Sequence, residues 1–427
     1  MIYYQKGSVN EVINSEELKE AIYTALEKLG KKKKVLAIPP DFTRFHSRAG
    51  EITRYIWEYY GKRLTDILPA IGTHSPMTKE EINTMFGNIP DNLFRIHDWR
   101  NNIVTLGIVP ENFISEISEN KVNYPWMAQV NKLLVEGSFD LILSVGQVVP
   151  HEVSGMANYN KNIFIGTGGS EGINKSHFLG AVYGMERMMG KSDTPVRKVL
   201  NYASKHFSGS LPPVIYFLTV IGKDNYENQV IKGLFFGDDT ECFHLASELS
   251  RKVNLEIVDN TLTKVVVYLN PEEYKSTWLG NKSIYRTRMA IADNGELIIL
   301  APGLKTFGED TEIDRLIRKY GYRGTPSTLQ AVKENEELRN NLSAAAHLIH
   351  GSSENRFRIT YCPGSLSEKE IKNVNFNYAD PATMIRKYNP EKLSEGINIL
   401  PDGEEIFFIS NPALGLWAYK NRFNNYN

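Results

Sequence analysis

Short apolar runs alternate with amphipathic stretches along most of the chain, and no other feature restricts the fold as tightly. KVLAIPP (34–40) reads as a short buried strand, AGEITRYIWEYYGK (49–62) as a helix, and LTDILPAIG (64–72) as the next strand. A strand–helix–strand rhythm calls for parallel strands covered by helices, which is the α/β class. SEELKEAIYTALEKLG (15–30) precedes it as a helix closed by Gly30. TKEEINTMFG (78–87) follows, with Thr78 and Glu81 at capping-box spacing. LFRIHDWR (93–100) and NIVTLGIVP (102–110) read as short strands joined by a turn. PWMAQVNKLLVEGS (125–138) reads as helical and FDLILSVGQVVP (139–150) as a strand. Two helices (180–190 and 194–207), a hairpin (212–225 with 228–238) and a helix over 238–256 come next.

After PEEYKS (271–276) the same rhythm restarts. ELIILAP (296–302), RFRITYC and EEIFFISNP read as strands, and TPSTLQAVKENEELRNNLSAAAHLIHGS as a long helical stretch with a break. A chain of 427 residues exceeds one average core. Two α/β domains are expected, residues 1–270 and 271–427.

Bulk properties narrow the function by exclusion. Lysine and arginine number 49 against 50 acidic residues, a net charge of −1, and the basic run Lys31 to Lys34 reads as a solvated helix end. No nucleic-acid partner is expected. Cys242 and Cys362 form no disulfide framework and no metal-type pair. The N-terminus lacks a basic-then-apolar leader, and no run approaches the ~18 apolar residues of a membrane span. The expectation is a cytoplasmic protein with no membrane partner.

Chemistry-bearing residues gather where strands end. PPDFTR (39–44) places Asp41, Thr43 and Arg44 in a loop between strand and helix. Arginine can clamp a carboxylate or phosphate with paired hydrogen bonds, and a threonine hydroxyl can add to it. A surface turn held by Asp41 fits the same residues, and His46 reads as a neighbour. IGTHSP (71–76) puts His74 just past another strand, beside Gly72. His151 follows VVP at the end of a third. An imidazole suits proton transfer near neutrality, although a lone histidine is most often structural. Two histidines from different strand ends, on opposite faces of a substrate carbon, would be a device for inverting a stereocentre. Lys161, in MANYNK (156–161), is a solvated charge or, if buried, a nucleophilic amine. His177 offers one metal ligand without the paired pattern of a protein-built zinc site. The glycines of IGTGGSEG (165–172) can cradle an anion, but match neither dinucleotide nor Walker motif.

Taken together, DFTR, GTH and the series His151–Lys161–His177, spaced by ten and sixteen positions, resemble the lactate racemase family of nickel-pincer-nucleotide racemases and epimerases. The hairpin VIYFLTVIG…GLFFGDD is similar to the family's as well. The resemblance runs over most of the chain and is most specific in its central segment. It implies a pyridinium mononucleotide with two thio-acid groups, one tethered to a lysine as a thioamide, and nickel held by two sulfurs, a ring carbon and a histidine. Carried onto this chain, Lys161 is the attachment residue and His177 the nickel ligand. His74 and His151 become the paired acid/base groups. Asp41, Thr43 and Arg44 serve the cofactor, with Arg44 also meeting the substrate. The implied reaction moves hydride from C2 of a 2-hydroxy acid to the cofactor and back to the other face. The histidines then handle the hydroxyl proton rather than the C–H.

The resemblance further implies cofactor-synthesis proteins as partners, and a free Lys161 amine in a host that lacks them. The site is expected in a crevice between the two domains, with the cofactor machinery in residues 1–270 and the second domain closing over the substrate. Two departures bear on the substrate. Where the family has a glycine-rich SGGxK stretch, this chain has MANYNK. Where lactate enzymes have a lysine in QAQK, this chain has AAAH (344–347), so His347 becomes a substrate-binding candidate, with His350 one turn on. A 2-hydroxy acid larger than lactate, sugar-acid-like, is the resulting expectation. Lactate itself and a non-catalytic binding protein are the alternatives.

Overall fold

Val35–Ile38 and Leu141–Gln147 are buried at every position, and strands without a polar face belong inside a sheet covered on both sides. The structure, a computed structural model, places them there and describes residues 1–224, 226, 228–413 and 415–425. The chain forms two units, Met1–Leu179 with Met188–Asn254 and Gly180–Arg187 with Leu255–Asn427. The α/β class is therefore observed.

The first unit holds a six-stranded sheet in the order Ile2–Gly7, Gln229–Gly237, Val214–Lys223, Leu141–Gln147, Val35–Ile38, Leu64–Ile67. The last four run parallel to one another, and Gln229–Gly237 runs antiparallel to both its neighbours. From Val35–Ile38 the chain goes first to one side, to Leu64–Ile67, and later to the other, to Leu141–Gln147. Loops leaving the carboxyl ends of such strands diverge and leave room for a ligand. Asp41, His74 and His151 follow these three ends.

Helix Ser15–Lys28 starts at Asn14 and helix Lys79–Phe86 at Thr78, each with a complete capping box. Leu18, Ile22 and Leu26 join Ile52 and Ile56 of helix Ala49–Tyr60 in the core against the sheet. Phe217 and Phe236 stack with ring centroids 4.4 Å apart on neighbouring strands. The hairpin over 212–238 forms as expected, although its turn residues Asn225 and Glu227 lie outside the described residues.

Two segments differ from the sequence reading. Residues 125–138 are chiefly a strand, Trp126–Asn131, with helix confined to Leu133–Glu136. Trp126, Ala128 and Val130 are buried alternately with less buried neighbours, a period of two that pairs antiparallel with Ile103–Val109. Residues 93–100 form no named strand. Arg95 is instead held by its backbone N–H on Ile67 O and its guanidinium on Asp66.

The second unit has its own six-stranded sheet: Asn377–Tyr378, Arg358–Pro363, Ile291–Ala301, Leu262–Tyr268, Glu405–Ile409, Gly396–Ile399. All neighbours are parallel except the last pair. Leu262–Tyr268, which the sequence reading assigns to the end of the first domain, is central here, because the chain changes unit after Asn254. The long helical stretch breaks into Thr325–Glu334, Glu336–Arg339 and Leu342–His350. Cys242 and Cys362 are buried free thiols. Among the described residues no helix is long and apolar enough to cross a membrane.

Phe236→Ala should remove the ring that stacks on Phe217 and leave a cavity in the first sheet's core. Urea unfolding should show a loss of about 3–5 kcal/mol. A loss below about 1 kcal/mol would mean that this layer is not where the stability resides.

Candidate functional site

Asp41 ends the Val35–Ile38 strand loop and caps the 3₁₀ turn Phe42–Ser47, accepting from the Thr43 N–H at 3.2 Å and from the Thr43 hydroxyl. Its other oxygen, Oδ2, faces His74 Nδ1 at 2.6 Å. Burial alone would raise this carboxyl's pKa, but the His74 ring, the Thr43 hydroxyl and the Arg44 charge together hold it below its usual range. Asp41 is therefore a carboxylate, and His74 Nδ1 carries the proton between them. His74 is exposed while Asp41 is buried, so the pair presents an imidazole anchored from below.

Loop 70–74 is itself anchored. The Gly72 N–H donates to Gly166 O at 2.9 Å, and Gly72 has φ +57°, a left-handed conformation that glycine takes without strain. His151, at the end of the central strand, is buried, and its Nδ1 accepts the Val153 N–H at 3.1 Å.

Lys161 opens a turn of π-helix, Asn162–Gly166, and three side chains next to it fix the backbone. Asn162 Nδ2 donates to Ile38 O and to Ser144 Oγ, both at 3.0 Å, joining the ends of two central strands. Asn158 and Tyr159 are consecutive left-handed residues, with φ +62° and +58°. Asn158 Nδ2 reaches Val145 O at 3.3 Å, and Tyr159 stacks on Phe243 at 5.1 Å. The whole of MANYNK closes over Arg197, whose buried guanidinium donates to Met156 O at 2.8 Å, to Asn158 O at 3.3 Å and to Asn160 Oδ1, and lies 4.2 Å from the Phe243 ring. A buried cation thus collects the carbonyls of this turn.

His177 lies on helix Ser170–Tyr183, its Nδ1 donating to Ile173 O at 2.7 Å. Burial, followed by the Lys161 charge, pushes its pKa down to about 4. The ring is neutral near pH 7 with its lone pair on Nε2, the form a metal ligand requires. Burial, followed by the Arg44 charge, likewise pushes the Lys161 ammonium down to about 8, with Arg197 adding to the effect and Glu152 and Asp41 opposing it. His74 and Glu152 also act on His177. The first-unit candidates therefore share one electrostatic neighbourhood. Among the described residues no group of three His, Cys, Asp or Glu side chains is placed to hold a metal ion.

Two further candidates take these places. Glycines 168 and 169 lie where a Cβ would meet Phe164 O at 2.0 Å and Gln129 Oε1 at 2.3 Å, so both are closely packed. His347 is in the second unit, with Nε2 2.9 Å from the Tyr322 hydroxyl and 3.3 Å from Asn281 Nδ2, and its ring 4.5 Å from Trp278. Arg197, Asn162 and Glu152 are absent from the sequence reading. Arg197 carried one signal, an arginine beside the buried positions Val196, Val199, Leu200 and Ala203 of its helix.

Residues 4–189 match the family model of the lactate racemase N-terminal domain. A crystal structure of a protein from Thermotoga maritima is similar, with TM-score 0.82 and 25% identity over 97% of this chain and 100% of that one. The lactate racemase apoprotein from Thermoanaerobacterium thermosaccharolyticum shares the fold, with TM-score 0.65 and 16% identity over 96% of this chain and 90% of that one. No curated protein matches the sequence.

The Lys161 amine should react with an acylating ester at lower pH than any ordinary lysine. With a pKa of about 8, about half is neutral at pH 8, against well under about 1% for an unperturbed lysine. Peptide mass spectrometry across pH should give half-maximal labelling of Lys161 near 8, and a midpoint near the ordinary lysine value would show that the amine is fully solvated.

Proposed function

Because the chain belongs to the lactate racemase family, carrying that family's N-terminal domain over residues 4–189, we propose that it is a racemase or epimerase acting at C2 of a small 2-hydroxy acid of the lactate kind. The observation that carries this reading is Lys161. Its amine is poised for acylation at near-neutral pH in the same neighbourhood as a neutral His177 and the Asp41–His74 pair.

The residues fit a nickel pincer nucleotide. Lys161 would form the thioamide tether, and His177 would offer the Nε2 lone pair to nickel, with its Nδ1–H fixed on Ile173 O. Thr43 and Arg44 would meet the anionic parts of cofactor and substrate, Arg44 as a two-pronged donor to a carboxylate. When bound, such a cofactor supplies reversible hydride uptake from C2. The chain's own work is to hold the carboxylate, to take and return the hydroxyl proton through the His74 and His151 imidazoles, to keep His177 unprotonated and to bring the Lys161 amine within reach of its neutral form.

A larger, sugar-acid-like substrate rests on the AAAH departure. His347 there is buried among Tyr322, Asn281 and Trp278, and the family match favours the lactate-sized acid.

Two measurements test the reading. Intact-mass and peptide analysis of protein from a cofactor-making host should find an adduct on Lys161. Loaded protein given L- or D-lactate in deuterated water should interconvert the enantiomers while largely retaining hydrogen at C2. Ready uptake of solvent deuterium at C2 would point to direct proton abstraction. Absence of turnover with every 2-hydroxy acid, despite the adduct, would favour a binding protein that kept the fold.

A further inference from the structure

The two histidines assigned to the hydroxyl proton are held in opposite tautomers. At His74, Nδ1 faces the ionised Asp41 Oδ2 at 2.6 Å, so Nδ1 bears hydrogen and the neutral ring has its lone pair on Nε2. At His151, Nδ1 receives the Val153 backbone N–H at 3.1 Å. A backbone amide can only donate, so this Nδ1 is the acceptor and the ring hydrogen is on Nε2. The carboxylate of Glu152 is 3.8 Å from the same nitrogen, beyond hydrogen-bond reach, and leaves the assignment unchanged.

The two rings also differ in what they can become. His74 can take a second proton at Nε2 and remain paired, as an imidazolium on the Asp41 carboxylate. His151 as an imidazolium would set an Nδ1–H against the Val153 N–H, losing that bond and opposing two donors in a buried place.

We propose that the pair is unequal: His74, backed by Asp41, is the group that takes and returns the substrate's hydroxyl proton, and His151 is a neutral Nε2–H donor to a substrate oxygen. In the proton step the substrate O–H bond breaks as the His74 Nε2–H bond forms, and the charge appears on the ring beside Asp41. The reverse step restores both; the C2 hydrogen is handled apart from this proton, and the cofactor class named above would supply its uptake and return. The role rests on the racemase reading, whereas the tautomers do not. Asp41 is a positioning residue in this scheme, and so is the Val153 amide.

The test begins without substrate. Long-range proton–nitrogen correlation spectra of the ¹⁵N-labelled protein near neutral pH, assigned with His74→Gln and His151→Gln, should show hydrogen on Nδ1 of His74 and on Nε2 of His151. Asp41→Asn should invert His74 alone. The Thr43 N–H requires an oxygen at the Oδ1 position, so the asparagine nitrogen must face His74 and donate to it. The same tautomer in both rings, or an imidazolium at His151, would overturn the assignment.

In the loaded enzyme, His74→Gln should lower kcat by roughly 10²–10⁴-fold. His151→Gln, whose amide can still donate, should lower it by no more than about tenfold. Equal losses would mean that both rings carry the proton. If no 2-hydroxy acid is turned over, the racemase reading fails, and the spectra still decide how the two rings are set.

Discussion

The Asn162 carboxamide is the contact around which the first unit's site is organised. One buried nitrogen donates to the last carbonyl of Val35–Ile38 and to the Ser144 hydroxyl in the adjacent strand. The residue before it is Lys161, and the π-turn that it begins ends at Gly166, whose carbonyl receives the loop leading to His74. Strand ends, amine and imidazole loop are thereby linked through a few polar contacts in an otherwise apolar setting. Such contacts are strong because water does not compete for them, and costly if one partner is lost. A π-turn has the geometry for this, since its wider ring brings the Thr167 N–H back to Asn162 O and leaves the side chain pointing into the sheet.

The first unit's charge arrangement follows from burial rather than from a designed metal cage. Lys161 and His177 both lose protons more easily than in water because desolvation disfavours their charged forms. Asp41 behaves oppositely: it is buried, yet stays ionised because a histidine, a hydroxyl and an arginine stabilise its charge. An imidazole kept neutral, an amine brought within reach of its neutral form and a carboxylate kept charged would suit the lone-pair donation, acylation and proton movement proposed above.

Much of this was legible in the chain, and the reasons for the rest are specific. The capping box at Thr78 formed because its signal is local. The central parallel strands were legible because they are mostly apolar and buried at every position. Residues 126–131 were not, since three alternating apolar positions in a short run fit either period until the partner strand Ile103–Val109 is known. The strand ends carrying Asp41, His74 and His151 could be read as a site because sheet topology puts ligands there. Arg197 could not, because its partners are backbone carbonyls of a distant segment, and carbonyls have no sequence. The sense of each imidazole was equally hidden, being decided by a carboxylate in one case and by a peptide N–H in the other.

Gly146 and Asn158 meet so closely that a Cβ at 146 would sit 2.1 Å from Asn158 Nδ2. A side chain at 146 would expel the asparagine and release Val145 O, and the φ of +148° there strains an L residue even where space is made for it. Glycine is thus held at 146 for two independent reasons, one of them indifferent to what stands at 158. The loop before the lysine should be inherited around that fixed glycine, whatever else in it drifts.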